Sequence, residues 1–558
     1  MASTLEQLLE DGRAALDGGD WRQAQSFFRL AFEHGATAEA AYGLARAIEW
    51  AGDFETAIGL YEKAFTLLRR RGEFRLPALI AGRELSFLYD AVYANAAAAD
   101  GWLARATSLI SDADDCVEAG WVHLAQCLGT LDPDRMRAHA AAATELGRRL
   151  NEPDLEFCAR SYEGLALVLG GRIAAGLRLI DEAAAAATSG EVRDYQAAGE
   201  IYCKMLLCSE LTLDVRRAQQ WMEVAAGFGH NRHAAWVPAI CGMHYGGILT
   251  AAGRWVEAEH RLVRAIEDYD GGFRALRGGA VVRLADLRLR QGRAEEAATL
   301  LRGYESDPAA VQPLARLRLM NGDAESAAAV LRRRLQAAAG SVLVAPEIAL
   351  LAEVHLAARR PDEASGLGCE LGVIAAATGL GQYGALAEYT MGLCRLATES
   401  ANGAGAGAST VARGHLETAL VAFGAAGLPL EQARCRLALA RAVATDQPEL
   451  ATAEALTALR DFQQLGAYYD ADAAAQTLRS LGHRSQHLRR AGAELTTRED
   501  QVLQLIAEGL SNSQIAARLF ISKRTVEHHV GSILAKLGLT TRAEVQAYAS
   551  RGHTNQPV

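Results

Sequence analysis

The sequence is almost without lysine: among 558 residues only Lys63, Lys204, Lys523 and Lys536 occur, and arginine takes lysine's place. Aromatic residues are scarce at 6%, while half of all residues are hydrophobic, with Ala and Leu foremost. That balance suits packed helices better than sheets. No eighteen consecutive apolar residues occur, so no membrane-spanning helix is expected. The opening MASTLEQLLEDGRAALDGG is acidic and lacks a long apolar run, so no signal peptide is expected and a cytoplasmic location is. Nine cysteines are scattered without a paired framework and read as reduced, mostly buried thiols.

Chemistry is also missing. Gly-Lys never occurs, which excludes a Gly-x4-Gly-Lys-Ser/Thr phosphate loop. There is no serine elbow, no His-Glu-x-x-His and no convincing acid pair. No alternating strand–helix pattern with an acidic cluster suggests a phosphorylated receiver domain. His230, His233, Cys241 and His244 are the right residue types for zinc, but the His pair falls in an expected loop and the spacing is no familiar signature. The expectation is a protein that is no enzyme, with no cofactor and no metal.

The net charge of −10 argues at first against nucleic acid, but it is unevenly spread. From His483 onward there are ten Arg or Lys against six Asp or Glu, a surplus of four, which leaves −14 on the rest. An acidic body with a mildly basic tail fits a chain whose tail alone meets DNA.

Through the first 400 residues a phrase recurs: Gly19-Asp20-Trp21-Arg22-Gln23-Ala24, Gly52-Asp53-Phe54-Glu55-Thr56-Ala57, Gly253-Arg254-Trp255-Val256-Glu257-Ala258, Gly292-Arg293-Ala294-Glu295-Glu296-Ala297 and Gly322-Asp323-Ala324-Glu325-Ser326-Ala327. Arg360-Pro361-Asp362-Glu363-Ala364 is a weaker copy, and Gly164 to Ile180 fits a degenerate one around Gly171 and Gly176. Gly and Asp end one helix, and Ala lets the next approach closely. Twelve residues before that Ala comes Gly12, Ala45, Gly246, Ala285, Ala315 or Ala352; four after it often comes Phe28, Tyr61, Leu262, Leu301 or Leu331. The first two copies are 33 residues apart and later ones 30 to 39. This resembles the tetratricopeptide repeat. The resemblance implies a helical solenoid whose concave groove takes a peptide, a partner helix or a small ligand. The register within 85–150 and 185–235 is not fixed by the pattern. Tyr202, Trp221, Trp236 and Tyr245 belong to an aromatic cluster that would line an effector pocket or simply form core.

The last seventh reads as a compact helical module. Thr497 with Asp500, Ser511 with Gln514 and Thr541 with Glu544 make three capping boxes, each ahead of an apolar run. Ser522 can cap a helix to about Leu537; Gly509 and Gly538 sit where helices should stop. Along that helix Val526, Val530, Ile533, Leu534 and Leu537 share one face, and Lys523, Arg524, Glu527, His528 and Gly531 the other. A polar second helix after the tight Phe520-Ile521-Ser522 turn is a helix-turn-helix.

This segment resembles the C-terminal DNA-binding domain of LuxR/GerE-type transcription regulators. The resemblance is carried by Leu495-Thr496, Arg498-Glu499, Val502-Leu503, Gly509, Ser511-Asn512, Ile515-Ala516, Leu519, Ile521-Ser522, Thr525-Val526, His529, Ile533, Lys536-Leu537 and Arg542. It implies that Glu527, His528 and Gly531 face bases and that Lys523, Arg524, Thr525, Lys536 and Arg542 lie near phosphates. Many family members carry a basic residue where this chain has Glu527 and Gly531; Glu527 either accepts from cytosine N4 or orients Arg524 or His528. His529 is expected half-buried. The whole chain resembles a MalT-like large LuxR regulator without its ATPase module.

The expected organisation is all-α. A tetratricopeptide-like solenoid over 1–400 is followed by a Gly/Ala linker at 401–414 and a last helical module at 415–482. A basic linker then spans 483–494, the four-helix LuxR-type domain 495–550 (helix-turn-helix core 512–531) and a tail 551–558. Expected partners are double-stranded DNA, a second copy of the chain, a small-molecule or protein effector at the solenoid, and RNA polymerase. The alternative is a protein-interaction scaffold with a weak DNA tether.

Overall fold

A computed structural model describes residues 2–35, 37–110, 115–130, 132–229, 237–402, 406–483, 497–519, 523–537, 539 and 541–552. Among them the secondary structure is wholly helical, with no strand. The chain forms two compact units, Met1–Ala474 and Ala475–Val558. No helix among the described residues is long and apolar enough to cross a membrane.

The recurring phrase forms the hairpins of a solenoid. Gly19, Gly52, Gly171, Gly253, Gly292 and Gly322 all adopt positive φ, between 75° and 88°. This is the left-handed turn that glycine enters without steric cost. In the weakest copy Arg359 takes that place at φ 59°. The following Asp20, Asp53 and Asp323 cap the next helix by accepting from the backbone N–H of Gln23, Thr56 and Ser326. Where the phrase has Arg254 or Arg293 instead, no side chain caps the helix.

The Ala of each copy is packed out of water: Ala24, Ala57, Ala258, Ala297, Ala327 and Ala364 are fully buried. So are the large residues one turn later, Phe28, Tyr61, Leu262, Leu301 and Leu331. In the degenerate copy the helices Pro153–Leu169 and Ile173–Ser189 touch backbone to backbone; a Cβ on Gly176 would lie 2.5 Å from the Gly164 carbonyl oxygen. Small residues at this spacing are therefore what the close crossing demands.

Helices pack mainly on their neighbours in sequence, but the solenoid also meets itself. Phe54 and Phe273 pack with ring centroids 4.4 Å apart. The Gln382 side-chain amide donates to the Thr212 carbonyl at 2.6 Å, and Arg290 pairs with Glu431 at 3.0 Å. Sequence pattern carried no sign of these contacts.

The Gly/Ala-rich stretch expected as a linker at 401–414 runs differently. It lies in the helices Gly381–Asn402 and Ala406–Ala426, apart from 403–405, which are outside the described residues. Packing of these two long helices against each other holds the stretch helical despite the low helix propensity of its glycines. The basic linker at 484–494 and the tail from 553 lie outside the described residues.

Candidate nucleic-acid interface

Four helices build the C-terminal domain: Thr497–Ala507, Asn512–Leu519, Lys523–Leu537 and Arg542–Gly552. Two of the three capping boxes form as read. The Ser511 N–H donates to Gln514 Oε1 at 2.8 Å and the Gln514 N–H returns to Ser511 Oγ at 3.4 Å. The Thr541 N–H donates to Glu544 Oε2 at 3.2 Å and the Glu544 N–H to Thr541 Oγ1 at 3.3 Å. The side chains of Thr497 and Asp500, which would make the third box, lie outside the described residues. Ser522, Gly538 and the Phe520–Ser522 turn also lie outside them. Gly509 ends its helix at φ 82°.

The core is the one the apolar periodicity outlines. Val502, Ile506, Ile515, Val526, Ile533 and Val545 are essentially inaccessible, and Val530 nearly so, with Leu534 and Leu537 packed against them. Burying that face fixes the rotation of Lys523–Leu537 and so decides what its other face shows. Lys523, Glu527 and Gly531, at four-residue intervals, are all exposed. A Cβ on Gly531 would meet nothing within 4 Å, so packing does not require glycine there. Thr525 and His529 are half-buried at the flanks, and each has an interaction within the chain. The side chains of Arg524, His528 and Lys536 lie outside the described residues.

Arg542 sits differently from the other expected phosphate contacts. It is half-buried, donates through Nη1 to Asn512 Oδ1 at 2.6 Å, and donates through Nη2 to the Leu510 carbonyl. It thereby bolts the last helix to the start of Asn512–Leu519. Asn512 escaped sequence reasoning as a structural residue because its partner is thirty positions away. Glu499 is also fully buried, which its charge did not suggest.

The described aromatic residues considered for an effector each have a partner within the chain. Tyr202 is buried, with its hydroxyl 2.9 Å from Thr188 Oγ1. Trp221 is half-buried and donates to Asp181 Oδ1 at 2.9 Å. Tyr245 is buried under Arg261, and Trp236 lies outside the described residues. The three described side chains are held by neighbouring helices, and none of them lines the cavity described below. Of the zinc candidates, His244 is engaged by Glu210 through Nδ1 at 2.8 Å, while His230 and His233 lie outside the described residues.

A short helix followed by a second with a buried apolar face and a polar exposed one defines a helix-turn-helix DNA-binding module. Residues 493–549 match the family described as bacterial regulatory proteins, luxR family, and this domain belongs to it. Over 80 residues the chain is 44% identical to a putative HTH-type transcriptional regulator of Mycobacterium tuberculosis, spanning 14% of this chain and 9% of that one. It is 46% identical over 59 residues to the transcriptional regulatory protein LiaR of Bacillus subtilis, 11% of this chain and 28% of the relative. It is 40% identical over 63 residues to the DNA-binding transcriptional activator DevR/DosR of Mycobacterium tuberculosis, 11% and 29% respectively. The chain thus spans less than a third of each of these relatives. The solved APC/C hetero-tetramer Cut9-Hcn1 aligns over 84% of this chain and 96% of its own at 13% identity, with a TM-score of 0.43, below the level at which a shared fold follows.

Proposed function

We propose that the chain is a transcription regulator that binds promoter DNA through its C-terminal domain under control of the helical-repeat unit. The observation that carries this is the exposed row Lys523, Glu527, Gly531 on a helix whose opposite face builds the core of a luxR-family domain. The N-terminal half of this helix enters the major groove. Lys523 and the positive helix N-terminus meet phosphates, and Glu527 accepts from cytosine N4. Arg524, Thr525 and Lys536 add phosphate contacts, and His528 and Gly531 face base edges. Arg542 acts through Asn512, positioning the helix pair.

A net surplus of four positive charges over 483–558 gives modest affinity per domain, so two copies bind together. They pair through Arg542–Gly552, whose Tyr548 is 47% exposed, on half-sites one helical turn apart. Effector or partner binding in the solenoid shifts the population of DNA-competent chains. RNA polymerase is the partner that reads out the bound state.

Selection of genomic fragments on the full-length protein, repeated with Lys523→Ala, tests this. An inverted-repeat motif, lost or weakened in the variant, is expected. No enriched motif, together with capture of a stoichiometric protein partner, would replace the regulator with a scaffold.

A further inference from the structure

Inside the Met1–Ala474 unit lies a cavity of about 180 Å³. That is smaller than the roughly 300–1,000 Å³ of sites for drug-sized ligands, so its occupant is small. Its apolar wall is Trp121, Leu124 and Leu128 on the helix Val117–Leu128. Leu128 is 53% exposed and marks the rim. Two cations, Arg83 and Lys204, and one acid, Glu200, complete the lining that matters.

Arg83 belongs to Ile80–Leu85, a π-helical stretch between two α-helical ones. Such widened turns occur mostly as isolated insertions and gather at functional sites. Its guanidinium lies over the Trp121 ring, 3.7 Å from the centroid, and pairs with Asp194 at 3.2 Å. Asp194 also meets Arg46 at 3.4 Å. Burial by itself would raise the Asp194 carboxyl; Arg83 and Arg46 more than reverse this and hold it at about 2. Behind Arg83, burial pushes the carboxyl of Glu84 upward. Arg83 is therefore already answered by Asp194 and fixed in place.

Lys204 is not answered in that way. It is one of four lysines in the chain and is nine-tenths buried. Its Nζ stands 4.1 Å from the centroid of the Tyr162 ring, a cation–π contact. Glu200, one turn earlier on Tyr195–Leu211, accepts from the Tyr162 hydroxyl at 2.6 Å, and no ion pair joins it to Lys204. Among the described residues, no carboxylate or carbonyl accepts from Lys204 Nζ. The ammonium thus lines the cavity with the Tyr162 ring as its neighbour, leaving its donors open to a ligand there. Arg46 and Arg83 share Asp194, whereas Lys204 lines the cavity with no ion pair among the described residues, beside an indole and two leucines. That combination suits a monoanion attached to an apolar body. It suits neither a free phosphate, which the apolar wall would desolvate, nor a cation.

We propose that this cavity binds a small organic carboxylate, its carboxylate on Lys204 Nζ and its apolar body against Trp121 and Leu124. Control of DNA binding by this ligand rests on the regulator reading above; the binding itself does not.

The test is titration calorimetry on the full-length protein with 3-phenylpropionate, indole-3-acetate and octanoate, each beside the alcohol in which CH2OH replaces the carboxylate. At least one acid should bind, and more tightly than its alcohol by about tenfold or more, the worth of a charge-assisted hydrogen bond. Lys204→Met should reduce the acid to its alcohol's affinity. Leu128→Glu at the exposed rim should weaken the acid, while Leu128→Gln should not; both leave the packed interior untouched. The proposal is overturned if no acid binds at millimolar concentration, if acid and alcohol bind alike, or if Lys204→Met keeps the preference. DNA affinity is measured on the same samples. Acid binding with no promoter DNA bound would sink the regulator reading and support the site.

Discussion

Gly43→Ala and Gly59→Ala are chemically the same change in neighbouring helices, and the structure gives them opposite signs. Both residues lie inside helices, Ala38–Trp50 and Phe54–Arg70. In each case alanine gains roughly 1 kcal/mol of helix propensity. At Gly59 a new Cβ meets nothing within 4 Å, so the gain stands and the chain is stabilised by about that amount. At Gly43 the Cβ would lie 2.2 Å from Phe28 Cε1 and 2.5 Å from Cδ1 and Cζ.

The Phe28 ring cannot easily yield. It is 2% exposed, and on its other side a Cβ at Gly12 would stand 2.8 Å from Cζ. Overpacking of this kind costs about 1–3 kcal/mol, and a ring held on both sides belongs to the upper half of that range. The net expectation is a loss of about 1–2 kcal/mol for Gly43→Ala. Urea unfolding followed by far-UV ellipticity, with amide exchange of Ala38–Trp50 as a local readout, measures both changes. Phe28→Leu should cost less in the Gly43→Ala background than in the natural chain, a coupling that a double-mutant cycle isolates. If the two alanines shift stability in the same direction, the close approach of Phe28 to these glycines is not what holds the first repeats together.

Lys523→Ala should weaken binding to specific and random DNA alike and lower the salt slope by about 0.9, the release of one condensed counterion. Glu527→Ala should change the selected motif while leaving that slope in place; an unchanged motif would end its base-reading role. Arg542→Ala should lower the melting transition of the C-terminal domain, since two hydrogen bonds from a charged donor are lost, together worth about 2 kcal/mol or more; an unchanged melt with weaker DNA binding would make Arg542 a phosphate contact instead. Glu49 is held up to about 8, first by burial and second by the charge of Glu84, while it accepts from the Tyr61 hydroxyl at 2.6 Å. The unfolded chain releases that proton near pH 4.5 and the folded chain keeps it, so stability falls as pH rises from about 4.5 to 8. Glu49→Gln keeps the acceptor and should raise the urea midpoint more at pH 8 than at pH 5; an equal shift at both would refute the titration.

Whatever depends on neighbours a few residues apart could be read from the residues alone. The left-handed turns at Gly19, Gly52, Gly253, Gly292 and Gly322 follow from glycine's freedom at positive φ. The capping boxes at Ser511 and Thr541, and the apolar face running from Val526 to Ile533, follow from hydrogen-bond supply and a 3.6-residue period. The four-helix domain and its exposed row at Lys523, Glu527 and Gly531 were therefore legible in advance.

Tertiary structure decided what requires distant residues to meet. The turn that binds Arg542 to Asn512 and Leu510 closes over thirty positions, so no local rule flags it. Helix propensity in the Gly/Ala-rich stretch after Gly381 is balanced so finely that packing between Gly381–Asn402 and Ala406–Ala426 settles it. Of the aromatic residues singled out by composition, Tyr202 and Tyr245 are buried and Trp221 half-buried, which scarcity in the sequence could not show. Arg83, Trp121 and Lys204, 121 positions from first to last, are brought around one cavity only by the stacking of successive helix pairs. Periodicity says which face of each helix is buried; how far one pair rotates on the next is fixed by side-chain volumes across the interface, and that rotation is what creates the cavity.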